Sequence, residues 1–235
     1  MSKKIGWSLC LLTLALCISS LPAMGGTLFS DIGPPGNQYL CCSGYAIGGS
    51  GTFGLSDTDA NLFTVGGSGN FSVDQIDLGV GFMGSPPTFY ASIWTDNAGL
   101  PGSLVTGALW SPLTIDTELG SCPPTCPGTY DGGGFVSITG ISGVTLVGGQ
   151  SYFMILGPVS LSDTSWNGWN GNSQGVNGLD LYSHDGGLTW HSNGTGNPLG
   201  AFDVLGHTTP EPSSLLLLGT GLLGVVGAIR RKLNQ

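Results

Sequence analysis

Phe71-Ser-Val-Asp-Gln-Ile-Asp-Leu-Gly-Val-Gly-Phe82 decides the fold. Val73, Ile76, Leu78, Val80 and Phe82 are separated by polar residues or glycine, a period of two that fits a strand with one buried face. The single slip, at Asp74-Gln75, is the place for a bulge. Gly66-Gly67-Ser68-Gly69 makes a turn before this strand, and Pro86-Pro87 ends it. Working outward, further strands are expected at 62–65, at 88–95 with Phe89, Ala91 and Ile93 on one face, and at 104–110. Phe135-Val-Ser-Ile-Thr139, Val144-Thr-Leu-Val147, Tyr152-Phe-Met-Ile-Leu156, a hairpin near 179–190 and a strand at 201–205 complete the set. Residues 26–60 read as an irregular Gly-rich lead-in, 116–134 as a long loop, and 167–177 as a Gly/Asn-rich connection. No helical period is sustained between 26 and 209, so the expected fold is all-β: an antiparallel β-sandwich, jelly-roll-like.

Composition agrees. The 43 glycines suit many short strands joined by tight turns, while repeated apolar runs and six Trp argue against disorder. The segment 26–209 is large enough to bury one substantial core. Every Lys and Arg is terminal: Lys3, Lys4, Arg230, Arg231 and Lys232. All 14 acidic residues except Glu211 lie inside 26–209, with no cation among them. Binding to nucleic acid requires side chains that replace counterions on phosphates, so that class is excluded. Anionic lipid is disfavoured for the same reason.

Both ends read as processing signals. Lys3 and Lys4 precede an apolar stretch over 5–21, and Ala23-Met24-Gly25 offers a small-x-small site. This predicts a signal peptide over 1–25, cleaved after Gly25. An exterior domain over 26–208 and a sorting tail over 209–235 follow. In the tail, Pro210-Glu211-Pro212 stands before an uncharged run, 213–229, closed by Arg230-Arg231-Lys232. The run predicts a short transmembrane helix, about 25 Å long, whose cations stay in the cytoplasm.

The triplet, the glycine-interrupted apolar run and the basic end together resemble the PEP-CTERM sorting signal of Gram-negative bacteria. The resemblance implies export and recognition of Pro210, Glu211 and Pro212 by an exosortase-type membrane peptidase. It further implies transient residence in the inner membrane, then release to the cell surface or extracellular matrix. The same tail family is labelled an ice-binding protein C-terminal domain. No Thr-x-Thr unit occurs in the chain, so no ice-binding role is expected. Phe89-Tyr-Ala-Ser-Ile-Trp-Thr-Asp-Asn-Ala-Gly-Leu-Pro-Gly-Ser103, followed by Gln150-Ser-Tyr-Phe-Met-Ile-Leu156, resembles the choice-of-anchor class of bacterial surface domains, which carries no assigned chemistry.

Several motifs bear on chemistry. Cys41, Cys42, Cys122 and Cys126 survive removal of the signal, and an even count in an exported chain predicts disulfides with three pairings open. A four-thiolate zinc site is the rival, poorly served by the adjacent Cys41-Cys42. Ser183-His-Asp185-Gly-Gly187-Leu-Thr189-Trp190 fits the Asp-box pattern, which we read as a structural hairpin because a sialidase would repeat it and supply arginines. Asp57, Asp59 and Asn61 place oxygens at alternate positions, as a calcium loop begins, but Leu62 and Ser68 stand where an EF-hand needs Gly and Glu. No other cofactor is expected. His184, His191 and His207 lie outside any hydrolase motif, so no catalytic residue is assigned. Trp166 and Trp169, set among Asn, are candidates for stacking on sugars, with extracellular polysaccharide as partner. The expected function is that of a non-enzymatic surface or matrix protein; the alternative is a lectin-like or carbohydrate-active protein.

Overall fold

The computed structural model of the chain describes residues 25–35, 37–116, 128–130, 135–209 and 212–233. The strands are β1 (Gly26–Ser30), β2 (Tyr39–Gly48), β3 (Thr58–Thr64), β4 (Asn70–Phe82), β5 (Thr88–Asp96), β6 (Pro101–Thr114) and β7 (Gly128–Tyr130). They continue as β8 (Phe135–Thr139), β9 (Thr145–Val147), β10 (Ser151–Gly157), β11 (Trp166–Asn172), β12 (Asn177–Ser183), β13 (His191–Pro198) and β14 (Phe202–Thr208). A single helical turn, α1 (Ser50–Phe53), lies between β2 and β3, and α2 (Pro212–Leu233) follows the last strand.

The strands build two antiparallel sheets in a sandwich-like arrangement. One runs β1-β14-β4-β11-β2-β7, with β8 and β9 also on β4; the other runs β13-β12-β3-β10-β5-β6. The main core lies between them. From β4 it takes Val73, Ile76, Leu78 and Val80, all fully buried, as the period-two pattern requires. The slip is a real bulge: Leu205 pairs with Gln75 and Gly206 with Val73, which leaves Asp74 as the extra residue. Aromatic rings fill the centre, with Phe29 stacked on Phe202 at 4.6 Å and Phe63 edge-on to Phe202 at 5.4 Å.

A second, smaller core sits on the outer face of the six-stranded sheet. Ala60, Phe153, Ile155 and Leu181 are buried there beneath Trp94, Trp190, Tyr90, Leu62 and Leu179. β10 is therefore buried on both faces, and its Tyr-Phe-Met-Ile-Leu run has no polar alternation for that reason.

Three expectations change. The connection expected over 167–177 contains β11, a central strand between β4 and β2. The irregular lead-in contains β1 and the ten-residue β2. The third concerns the tail. α2 forms where a helix was expected over 213–229, but among the described residues no helix is long and apolar enough to cross a membrane. The transmembrane helix is thus not supported. The uncharged part reaches only about 25 Å against a hydrocarbon core of about 30 Å. It is diluted by Gly219, Gly221, Gly224 and Gly227, and its last turn is cationic.

No disulfide is seen among the described residues. Cys41 and Cys42 fall in β2, whereas Cys122 and Cys126 lie outside the described residues, as do 1–24.

Candidate functional site

The hairpin between β12 and β13 is closed by its own side chains. Asp185 Oδ1 accepts the backbone N–H of Leu188 at 3.0 Å and of Thr189 at 2.9 Å, and Oδ2 accepts the Thr189 hydroxyl at 2.6 Å. Ser183 Oγ donates to Asp185 Oδ1 at 2.7 Å and accepts the N–H of Gly187 at 2.8 Å. Gly186 and Gly187 take φ of 74° and 90°, which only glycine adopts without strain. Trp190 packs against the outer core. The Thr189 and Ser183 hydroxyls and the Thr189 amide hold the Asp185 carboxyl well below the usual carboxylate range. Asp185 is thus an ionised, fully engaged turn acceptor.

A carboxylate pair lies inside the sandwich. β3 pairs with β12 so that Asn61 faces Asp180, and period two puts Asp59 on the same inner face. Asn61 Nδ2 donates to Asp59 Oδ1 at 2.7 Å and to Asp180 Oδ1 at 2.9 Å. The amide cannot be turned round, because its oxygen accepts the Gly200 N–H. Asn193 Nδ2 donates to Asp180 Oδ2 at 2.6 Å. Burial, and then the charge of Asp180, push the Asp59 carboxyl well above its ordinary value; burial raises Asp180 also. Two carboxyls in contact without a cation share a proton. The residues considered for calcium are therefore divided. Asp57 pairs with His184 at 2.6 Å, while Asp59 and Asn61 join Asp180 with an amide N–H, a donor, aimed at the carboxylates. Among the described residues, no group of three or more His, Cys, Asp or Glu converges where a metal ion could be held.

Close by, β2 and β11 fall out of step beside Tyr45. β2 has four residues between Tyr39 and Gly44 where β11 has one between Asn172 and Asn170. Part of the surplus, Leu40 and Cys41, pairs with β7 on the other side. Two hollows lie beside this irregularity, of about 360 and about 450 Å³, both lined by Ser43, Gly44 and Tyr45. The first continues over Ala46 and Gly168 to Trp166 and Met83; the second runs over Gly171 to Asn193, Asn197 and Pro198. Tyr45 is braced across the two sheets by its hydroxyl, which donates to the Pro198 carbonyl. Burial, and then the charges of Asp180 and Asp59, hold the phenol above its ordinary pKa. Gly44 is required here, since an added Cβ would lie 2.0 Å from the Trp169 carbonyl oxygen.

The two tryptophans proposed for sugar stacking part company. Trp169 is 0 % exposed, packed at 5.7 Å on Phe202, with its Nε1–H donated to the Ala201 carbonyl. That candidacy is corrected: a ring sealed in the core offers no face to a ligand. Trp166 is half-buried and lines the first hollow. Sequence reasoning missed Tyr45, Asn193 and Asn197. Tyr45 lay in a stretch taken as irregular, and lone asparagines carry no motif. Asp180 had a signal: a carboxylate between Leu179 and Leu181 in a segment without any cation.

In the tail, Pro210 and Glu211 lie outside the described residues, and Pro212 begins α2. Proline is favoured at a first helical position, where its missing N–H is no loss. Arg230, Arg231 and Lys232 occupy the last turn, where cations offset the partial negative charge of the helix end. Residues 208–232 match the family described as a PEP-CTERM protein-sorting motif. No curated protein and no solved structure matches the chain. The motif supports export and sorting by an exosortase system, with handling at the membrane. Neither the ice-binding label nor the choice-of-anchor resemblance is confirmed.

Proposed function

We propose that the chain is a protein of the cell surface or extracellular matrix whose Pro210-Glu211-Pro212 is read by an exosortase-type peptidase. Its exterior domain, on this reading, binds and does not catalyse. The match over 208–232 carries the first part. The second is supported by the fate of the acidic and histidine side chains. Asp59 and Asp180 are buried against each other, without room for a substrate between them. His184 and His207 are engaged with Asp57 and Asp74 at 2.6 and 2.7 Å, away from any nucleophile in the described hydrogen bonds. Extracellular polysaccharide is the partner we assign to the domain, because a strongly acidic exterior without cations repels anionic surfaces.

The test is mass spectrometry of the C-terminus in the producing strain, with and without alanine at Pro210, Glu211 and Pro212. Mature wild-type protein should lack Arg230-Arg231-Lys232, and the triple variant should accumulate at full length. Recovery of wild-type surface protein with its basic end intact refutes the sorting reading.

A further inference from the structure

We propose that the outer face of the six-stranded sheet is the binding surface of the exterior domain, and that neutral polysaccharide lies across it, stacked on Trp94 and Tyr90. The inference rests on the assignment of polysaccharide as the partner and names the place and the chemistry. An antiparallel sheet with one face on the core ordinarily shows polar side chains on the other. Here Leu104, Trp94, Phe153 and Leu62 stand in one row across β6, β5, β10 and β3, on the face that carries the second core. Two rings lie flat on it. The Trp94 Nε1–H donates to Ser92 Oγ at 3.0 Å, two residues back on the same strand, so the indole lies along β5 and covers Ser92, which is 1 % exposed. Tyr90 lies over β10: a Cβ added at Gly157, its partner across the ladder, would come within 2.7 Å of Tyr90 Cε1 and 2.8 Å of Cζ. Both rings are half-buried, with one face on the sheet and the other turned outward.

Three properties select the occupant. First, aromatic faces laid parallel to a sheet take a flat apolar partner. The C–H face of a pyranose is one, held by dispersion and by removal of apolar area from water. Second, the face is uncharged inside an acidic domain. Asp59 and Asp180, on β3 and β12, alternate with Ala60 and Leu181 and so turn to the inner face. Asp96, the next outward position on β5, lies beyond Trp94 and accepts the Gly99 N–H at 2.8 Å. No Lys or Arg occurs anywhere in 26–209, so an anionic polymer would find no counter-charge, and a cationic one would find no carboxylate between Tyr90 and Trp94. Third, the face is small. Six strands span about 24 Å and the four steps from Tyr90 to Trp94 about 13 Å, an area on the order of 300 Å². At one end the β5–β6 turn narrows it, since a Cβ added at Gly99 would lie 3.6 Å from Leu179 Cδ2. A stable complex between globular proteins needs about 800 Å² from each partner, so a second copy of the chain is poorly served here. A single sugar chain needs no more than this strip.

The test is calorimetric titration of the full exported chain with cellohexaose, maltohexaose, xylohexaose and chitohexaose. Hexagalacturonate is the charged comparison, and tryptophan emission is read in parallel. At least one neutral hexasaccharide should saturate the protein and shift its emission. Trp94→Ala should weaken that binding about tenfold or more, as loss of an aromatic anchor does. Trp94→Phe keeps a ring over Ser92 and keeps the test valid should Trp94→Ala misfold; it should bind more weakly than wild type and lose the emission change. Trp166→Ala, on the other sheet, should bind like wild type. A sugar that binds wild type and Trp94→Phe alike, with the same emission change, overturns this placement and leaves polysaccharide as the partner. Failure of all four neutral sugars overturns both. Tighter binding of hexagalacturonate overturns the proposal, and so does a dimer in sedimentation that Trp94→Ala dissolves. A C-terminus left intact in the sorting test sinks the tail reading alone and leaves these titrations unaffected.

Discussion

Acid should stabilise this domain, and Asp31 is the place to measure it. The residue is 1 % exposed; Oδ1 accepts the Phe202 N–H at 2.7 Å, and Oδ2 is buried with no hydrogen-bond partner among the described residues. Burial, reinforced by the charge of Asp203, pushes the carboxyl from 3.8 up to about 8. Over that window the folded chain holds a proton that the unfolded chain has released. Folding takes up a proton, so rising pH costs stability: about 1.4 kcal/mol per pH unit for one such group. The contribution is complete below the unfolded value and gone above the folded one. Between about pH 5 and about pH 7, Asp31 alone should therefore lower stability by about 2.7 kcal/mol. Asp59, Asp180 and Asp203 are raised too, burial first, and act in the same sense. Urea unfolding followed by tryptophan fluorescence across this range should show a midpoint that falls steadily with pH. Asp31→Asn keeps the acceptor for Phe202 but cannot titrate. Its overall stability can shift either way, but its pH slope should be shallower by about 1.4 kcal/mol per unit. A midpoint that rises from pH 5 to pH 8, or a slope unchanged in Asp31→Asn, refutes the reasoning.

Asp185→Ala should lower the melting temperature at neutral pH, because it strips two amides and two hydroxyls of their acceptor; the difference should shrink as acid protonates the wild-type carboxyl, whose folded pKa is lowered. Trp169→Ala should cost about 3–5 kcal/mol in urea unfolding, since the ring is sealed in the core; a loss below about 1 kcal/mol would contradict that burial. Gly200→Ala should destabilise by about 1–3 kcal/mol by calorimetry, because the new Cβ would sit 2.3 Å from Trp169 Cε2, and a neutral effect would show that the indole can yield.

What the sequence made legible was the part that obeys a period. β4, β5, β8 and β10 were visible because the core demands apolar side chains at every second position, or at all of them in β10, and the bulge at Asp74 showed as a break in phase. The Asp-box showed because its turn needs fixed residue types at fixed offsets. The tail was legible in its order of parts but not in its length: a run of uncharged residues predicts a helix more securely than it predicts a span. The hollows beside Tyr45 were not legible. They lie at a mismatch of four intervening residues against one between strands more than a hundred residues apart, and no local pattern records such a count.

The missed strand, β11, has a physical reason that also accounts for the buried acids. Trp166-Asn-Gly-Trp-Asn-Gly-Asn172 reads as a loop because asparagine and glycine favour turns. Here the asparagines are structural hydrogen bonders. Asn167 donates to the Thr88 carbonyl, Asn170 to that of Gly79, and Asn172 to those of Val176 and Leu199. Asn61 and Asn193 do the same for Asp59 and Asp180. In most domains a buried carboxylate would find an arginine or lysine, but between residues 26 and 209 there is none. The partners left for a buried acid are neutral donors, above all amides, and a proton. The chain uses both, so its interior is rich in asparagine and its inward aspartates have raised pKa values. A strand built on these terms shows neither hydrophobic alternation nor charge, and that is why it passes for a linker.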